Sequence, residues 1–375
     1  MRRGAEGQPV KINSLTALRF FAALGVFLHH FHFYEHTQNG WLQYTYKALF
    51  EGFVGVTFFY VLSGFIISYS YHNQAKRRPY TTGEFLFNRF ARLYPVHFLT
   101  LGAAIAAYYG VANLGAVDGK VLAVNAALLQ AFIPDPLYFF SFNGVSWSIS
   151  VEVFFYVAFI ALFVRLRTRY LAILGAALAL TIAYLLVGPL ANHPLNSWTF
   201  YINPAFRAVD FIAGMLIFRA FSSGRFRPSA GQSSVMEVGS LILLAAFAYV
   251  GMKHVPMTWR YDLFYLLPMM LVVWAFSHGK GIVSRLISNR LFVLLGEASF
   301  SLYMVHQIVI ALALRNSTVN IDEPNQVLWF IGVTTLTGVV TSVAMYEMYE
   351  KPINDYLRKA WKRRSSPGLQ TEKPA

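Results

Sequence analysis

Between Leu15 and Phe33 an apolar stretch of membrane length carries Arg19 in its first turns and His29, His30 and His32 in its last. An ionisable group at the centre of a spanning helix costs about 2.5 to 3.5 kcal/mol, so it persists mainly where it faces a wet cavity or a bound partner. A second apolar stretch opens with Trp147-Ser148-Ile149 and holds Glu152, four residues after Ser148 and on the same helical face. A histidine oriented by such a carboxylate is a usable general base for an alcohol. A third stretch opens with Asn88, Arg89, Arg92 and Tyr94, and its two arginines, at i and i+3, share one face. Two parallel guanidinium forks suit a phosphate-bearing ligand, with snorkelling to lipid headgroups as the plain alternative. Arg19 at similar depth would bring three arginines together and favours the phosphate site.

Other intramembrane polar residues divide by their neighbours. On a regular helix His30 shares the face of Arg19, whereas His29 is turned by about 80°, so periodicity alone favours His30 as the functional histidine. His306 lies midway to outward in a late span, where it could line the cavity. Arg207 and Asp210, three apart on one helix, are expected to neutralise each other. Glu347 and Glu350 lie near an inner helix end, where Lys351 and Arg358 can screen them, and a structural role is expected. No metal site is expected: residues i and i+2 of His30-Phe31-His32 diverge on a helix and no matching cluster stands elsewhere. Cysteine is absent, which excludes disulfides, thiolate metal sites and a cysteine nucleophile.

The elements that must carry these residues are membrane helices. The chain is 56% hydrophobic and 13% charged, with apolar runs of spanning length from end to end, so it reads as an all-α polytopic helix bundle. Ten spans are expected near residues 14–34, 51–72, 84–109, 147–165, 170–187, 204–221, 235–252, 263–277, 291–314 and 326–349. The net charge of +14 does not point to nucleic acid, because the basic residues cluster in alternate loops. Those clusters are Arg2, Arg3 and Lys11; Lys76, Arg77 and Arg78; Arg165, Arg167 and Arg169; Arg219, Arg225 and Arg227; Lys280, Arg285 and Arg290; and Lys351 to Arg364. Such alternation follows the positive-inside rule and places both termini in the cytoplasm. The run 121–133 is too short to cross and is expected to be re-entrant or interfacial.

A single transmembrane domain over 14–350 is therefore expected between a cytoplasmic N-terminal segment, 1–13, and a basic cytoplasmic tail, 351–375, whose last eleven residues read as disordered. The first span lacks a small-residue cleavage site and reads as a retained signal anchor. Thr81 and Glu84 form a capping box before the third span, Pro79 precedes it, and Pro95 should kink it and free a carbonyl. Span one runs outward, so Arg19 lies near the cytoplasmic face and His29 about 15 Å away near the outer one.

At these residues the chain resembles the acyltransferase-3 family of integral-membrane acyltransferases. The landmarks are Leu15 to Arg19 with His29 ten residues on, Phe58 to Phe65 around Ser63-Gly64, Arg89 to Pro95, Trp147 to Tyr156, Gly296 to His306, and Tyr349 to Pro352. The resemblance implies His29, rather than His30, as the catalytic histidine and general base with Glu152, an acyl-histidine intermediate being the variant. It implies Arg19, Arg89 and Arg92 as ligands of cytoplasmic acyl-CoA, with acetyl-CoA expected as co-substrate and no bound cofactor. Trp147 and Ser148, with His30 and His306, would belong to the acceptor half. The implied acceptor is a sugar hydroxyl of an exopolysaccharide, lipopolysaccharide or lipid-linked glycan precursor, at a bacterial inner membrane. A macrolide or other small-molecule sugar and peptidoglycan are alternative acceptors. Members often carry an extracytoplasmic domain after the last span; none is expected here, so either the chain completes the transfer alone or a separate extracytoplasmic transferase takes the acyl group. A secondary transporter would share the buried charges, but paired interrupted helices in corresponding halves are not seen.

Overall fold

The computed structural model describes residues 11–76, 80–110, 115–188 and 193–365, which form helices and no strand. Arg2, Arg3, Arg77, Arg78, Pro79 and the end of the tail from residue 366 lie outside the described residues. The helices are α1 (Asn13–His29), α2 (Gly40–Phe50), α3 (Gly55–Ala75), α4 (Thr82–Tyr109), α5 (Gly119–Ala126), α6 (Pro136–Phe139), α7 (Trp147–Ala161), α8 (Thr168–Val187) and α9 (Pro204–Ser222). They continue as α10 (Ala230–His254), α11 (Met257–Arg260), α12 (Leu263–Ser277), α13 (Ile282–Ile287), α14 (Arg290–Glu297), α15 (Ser299–Arg315), α16 (Pro324–Met345) and α17 (Lys351–Ser365).

Seven helical runs among the described residues are long and apolar enough to cross a bilayer, and α14 with α15, bent by 63° at their junction, makes an eighth. The two remaining expected spans are present as helices of a different kind. α12 has 15 residues, short of the roughly 20 that a hydrocarbon core asks for. α9 is longer but carries Arg207, Asp210 and Arg219. Both pack inside the bundle against α3, α9 largely enclosed by neighbouring helices and α12 with Leu267 and Leu271 left exposed. The run 121–133 folds as α5 and a single 3-10 turn at Gln130–Phe132, with a bend at Leu128 (φ 56°), and does not cross.

Local chemistry sets several of the boundaries that position the site. Thr81 Oγ1 accepts from the backbone N–H of Glu84 at 3.1 Å, the cap expected at the start of α4. Pro95 lies inside α4, and its own carbonyl accepts from the Tyr349 hydroxyl at 3.2 Å, which ties α4 to the end of the α16 run. α1 stops at His29, with His30 as its C-cap, instead of continuing to residue 34. The 3-10 turn His32–Tyr34 takes up the end of the expected span, and α2, capped by Asn39, follows before the next one. α16 passes through a π-helical turn, Tyr346–Glu350, directly into α17.

The tightest helix pair is α3 with α9, which touch backbone to backbone at two glycines. A Cβ on Gly64 would overlap the carbonyl oxygen of Phe211, and one on Gly214 would overlap that of Val61. Small residues that allow such approach are the usual means of association where lipid removes the hydrophobic driving force. Gly214→Leu is expected to abolish recovery of monodisperse protein in detergent, whereas Gly102→Leu, with open space around it, should purify as wild type. Equal yields in size-exclusion chromatography would contradict this packing.

Candidate active site

A cavity of about 450 Å³ runs between α1, α3, α4, α7, α15 and α17. On α3 it extends from Val56 to Ser70, fourteen residues or about 21 Å at helical rise. Cross-helix contacts order its walls. Towards one end Tyr60 donates from its hydroxyl to the Ser148 carbonyl at 3.2 Å. A turn further along, Ser63 Oγ donates to Glu152 Oε1 at 3.1 Å. One more turn along α7, the Tyr156 ring lies 5.9 Å from the Arg89 guanidinium.

Among the described residues five cationic side chains line this cavity, namely Lys11, Arg19, Arg89, Arg92 and Arg358, against the single lining carboxylate Glu152. The three arginines expected to converge do so. Glu350, buried and accepting from Ser301 Oγ at 2.6 Å, lies near Arg19 and Arg92 and offsets part of their charge. Glu347 pairs with Lys351 at 3.0 Å, as its screening role requires. The Nε atoms of Arg89 and Arg358 are buried without a hydrogen-bond partner. Cations gathered in a low-dielectric wall with open donors are satisfied best by an anion.

Lys11 sits just before the start of α1, outside the span, and is hydrogen-bonded to Glu297. Burial first, and then Arg19 and Lys351, pull its ammonium from the usual lysine value down to about 8. It is therefore cationic below that pH and neutral above it, so a wall that attracts anions loses one charge as pH rises through about 8. For an anionic substrate, kcat/KM should fall over that interval. Lys11→Arg should shift the fall to higher pH, and an unchanged profile would remove Lys11 from the site.

None of the histidines lines this cavity. They form a separate cluster at the end of α1. His29 Nδ1 stands 2.7 Å from the Phe50 carbonyl; a carbonyl only accepts, so Nδ1 carries the proton and Nε2 keeps its lone pair. Phe50 and Phe53 flank the ring at 4.8 and 5.7 Å between centroids. His30 Nδ1 donates to the Val26 carbonyl at 2.8 Å and lies 3.2 Å from His306 Nε2. His306 Nδ1 in turn donates to the Tyr303 carbonyl at 2.6 Å, so both its nitrogens are engaged. His30 and His306 thus lock α1 to α15.

The expected pairing of His29 with Glu152 is not found. Glu152 is bonded to Ser63, eight residues or about 12 Å along α3 from Gly55, while His29 is anchored to Phe50 on the other side of Gly55. The backbone carbonyl takes the orienting role instead. Ser148 lines the cavity, but Trp147 does not; it is buried against Tyr201 at 4.8 Å. Arg207 and Asp210 pair at 2.9 Å as expected, and Asp262 joins them 3.6 Å from the same guanidinium, which also donates to Thr57 Oγ1 at 3.0 Å. Lys11, Arg358, Tyr156 and Ser63 complete the cavity and were not singled out as site residues, although Ser63 stands in a landmark motif.

Comparison with known proteins agrees with this architecture. A family model described as an acyltransferase domain matches residues 12–347. The chain is 31% identical to "Acyltransferase MdmB" of Streptomyces mycarofaciens over 323 residues, covering 80% of this chain and 79% of that protein. It is 28% identical to "Exopolysaccharide production protein ExoZ" of Rhizobium meliloti, covering 85% of this chain and 93% of the relative. With "Peptidoglycan O-acetyltransferase OatA" of Listeria monocytogenes it shares 22% identity over 94% of this chain and 57% of the longer relative. No solved structure matches.

Proposed function

The chain belongs to the acyltransferase domain family and is a membrane acyltransferase, and from that premise we propose that it moves an acyl group, acetyl in the first instance, from cytoplasmic acyl-CoA to a sugar hydroxyl of an exported or lipid-linked glycan. The observation that carries this reading is the cavity itself. It is a passage about 21 Å long with five cations in its walls, suited to a donor whose nucleotide is polyanionic and whose thioester sits at the end of a long thin arm. Its outer end reaches Val56, six residues along the chain from Phe50, whose carbonyl holds His29.

In this mechanism the donor phosphates rest among Arg19, Arg89 and Arg92, and the arm lies along Ser63, Glu152 and Tyr60. His29 Nε2 takes the proton of the acceptor hydroxyl as that oxygen attacks the thioester carbon. The carbon–sulfur bond then breaks, and the departing thiolate takes the proton back from the imidazolium. The Phe50 carbonyl keeps Nδ1 protonated throughout, so the base is always presented through Nε2. Glu152 acts within the donor passage, bonded to Ser63, and not as the partner of His29.

Counting α9 and α12 as crossings beside the eight apolar runs gives ten spans and puts both termini on one side. The basic loops support reading that side as the cytoplasm, with the protein in a bacterial inner membrane. The exopolysaccharide relative, matched over nearly its whole length, supports an exported glycan as acceptor. The test is reconstitution in vesicles of known orientation with labelled acetyl-CoA and extracted glycan precursors. Label should pass to the glycan only when donor meets the face bearing the basic loops; transfer from the opposite face alone would overturn the assignment.

A further inference from the structure

The family match ends at residue 347, and the chain continues as α17, a helix bearing six basic residues and one acidic one. It does not hang free. α17 packs along α4, and Trp361 stacks on Phe87 with centroids 4.4 Å apart and planes 20° from parallel. One turn before that anchor, Arg358 is turned into the wall of the donor cavity. Its charged neighbours there include Arg89 and Arg92, offset by Tyr80 and by Asp355 of its own helix. Its Nε, like that of Arg89, is buried with no hydrogen-bond partner.

Three guanidiniums brought together beside a stacking contact repel one another, which Glu350 and Asp355 offset in part and a polyanion between them would offset further. We propose that α17 is a clamp over the cytoplasmic end of the donor site, in which Arg358 binds a phosphate of the nucleotide half of the donor and Trp361 positions it. The inference rests on the acyl-CoA reading above. It adds a ligand from outside the matched domain and makes the C-terminal helix a contributor, beside Arg19, Arg89 and Arg92, to recognition of the nucleotide as distinct from the acyl arm. Anionic lipid headgroups offer the same chemistry to Arg358, and the test separates the two sources.

The full chain is reconstituted in phosphatidylcholine vesicles and assayed with acetyl-CoA and with acetyl-pantetheine, which keeps the thioester arm and lacks the phosphates. Arg358→Gln should raise KM for acetyl-CoA about tenfold or more with little change in kcat, and leave acetyl-pantetheine unaffected. Arg358→Lys should fall between, and Trp361→Ala should follow Arg358→Gln in direction. On the wild-type protein, adenosine 3′,5′-bisphosphate should slow tryptic cleavage within α17, a readout that needs no variant to fold. An unchanged KM, equal losses with both donors, or no protection by the bisphosphate would overturn the clamp. So would an effect of Arg358→Gln confined to vesicles containing phosphatidylglycerol, which would make it a lipid contact. Absence of any wild-type turnover with acetyl-CoA would instead count against the donor reading itself.

Discussion

Alanine in place of His29 is expected to cut acyl transfer about 100- to 10,000-fold, with donor KM nearly unchanged and the protein folded. The expectation follows from tautomer and access. Nδ1 is spent on the Phe50 carbonyl, so the lone pair stands on Nε2, which has no hydrogen-bond partner among the described residues. His30→Ala should behave differently. Its imidazole joins Val26 to His306, so the loss should appear as a lower melting temperature, with turnover reduced far less than in His29→Ala. Parallel assays of the two variants decide the matter: a dead His30→Ala beside an active His29→Ala would return the catalytic role to the residue that helical periodicity favours.

The second large effect concerns Arg19. Arg19→Gln should raise KM for acyl-CoA about 10- to 100-fold, the range expected for a lost charge-assisted contact. Acetyl-pantetheine turnover should be untouched. In the empty protein Arg19 feels repulsion from Arg92 and attraction from Glu350 and Glu152, so its removal relieves as well as costs. The melting temperature of the unliganded variant should therefore match or exceed that of wild type, the pattern of a residue kept for binding at some cost to stability. A fall in melting temperature with no change in KM would make Arg19 a structural residue.

The bundle and the convergence of Arg19, Arg89 and Arg92 were legible in the sequence because both rest on local rules. Apolar runs of spanning length and basic clusters between them define the spans, and i, i+3 spacing puts Arg89 and Arg92 on one face. The choice between His29 and His30 was not, since it assumed a regular helix through a point where α1 ends. Nor was the partner of Glu152. A helix apolar on all sides does not reveal which side meets α3, and only packing places Ser63 opposite the carboxylate. Asp262 beside Arg207, and Arg358 beside Arg89, are pairings across long stretches of chain for which periodicity carries no signal.

The glycine contact between α3 and α9 also bears on how the enzyme can move. With each backbone seated against the other at Gly64 and Gly214, neither helix can slide or turn past its neighbour without steric overlap. The pair is a stator. Any widening of the passage therefore falls to walls that this contact does not fix, such as α4, α15 and α17. Ser63, one residue from that fixed contact, bonds Glu152 and so ties the α7 wall of the passage to the immobile pair.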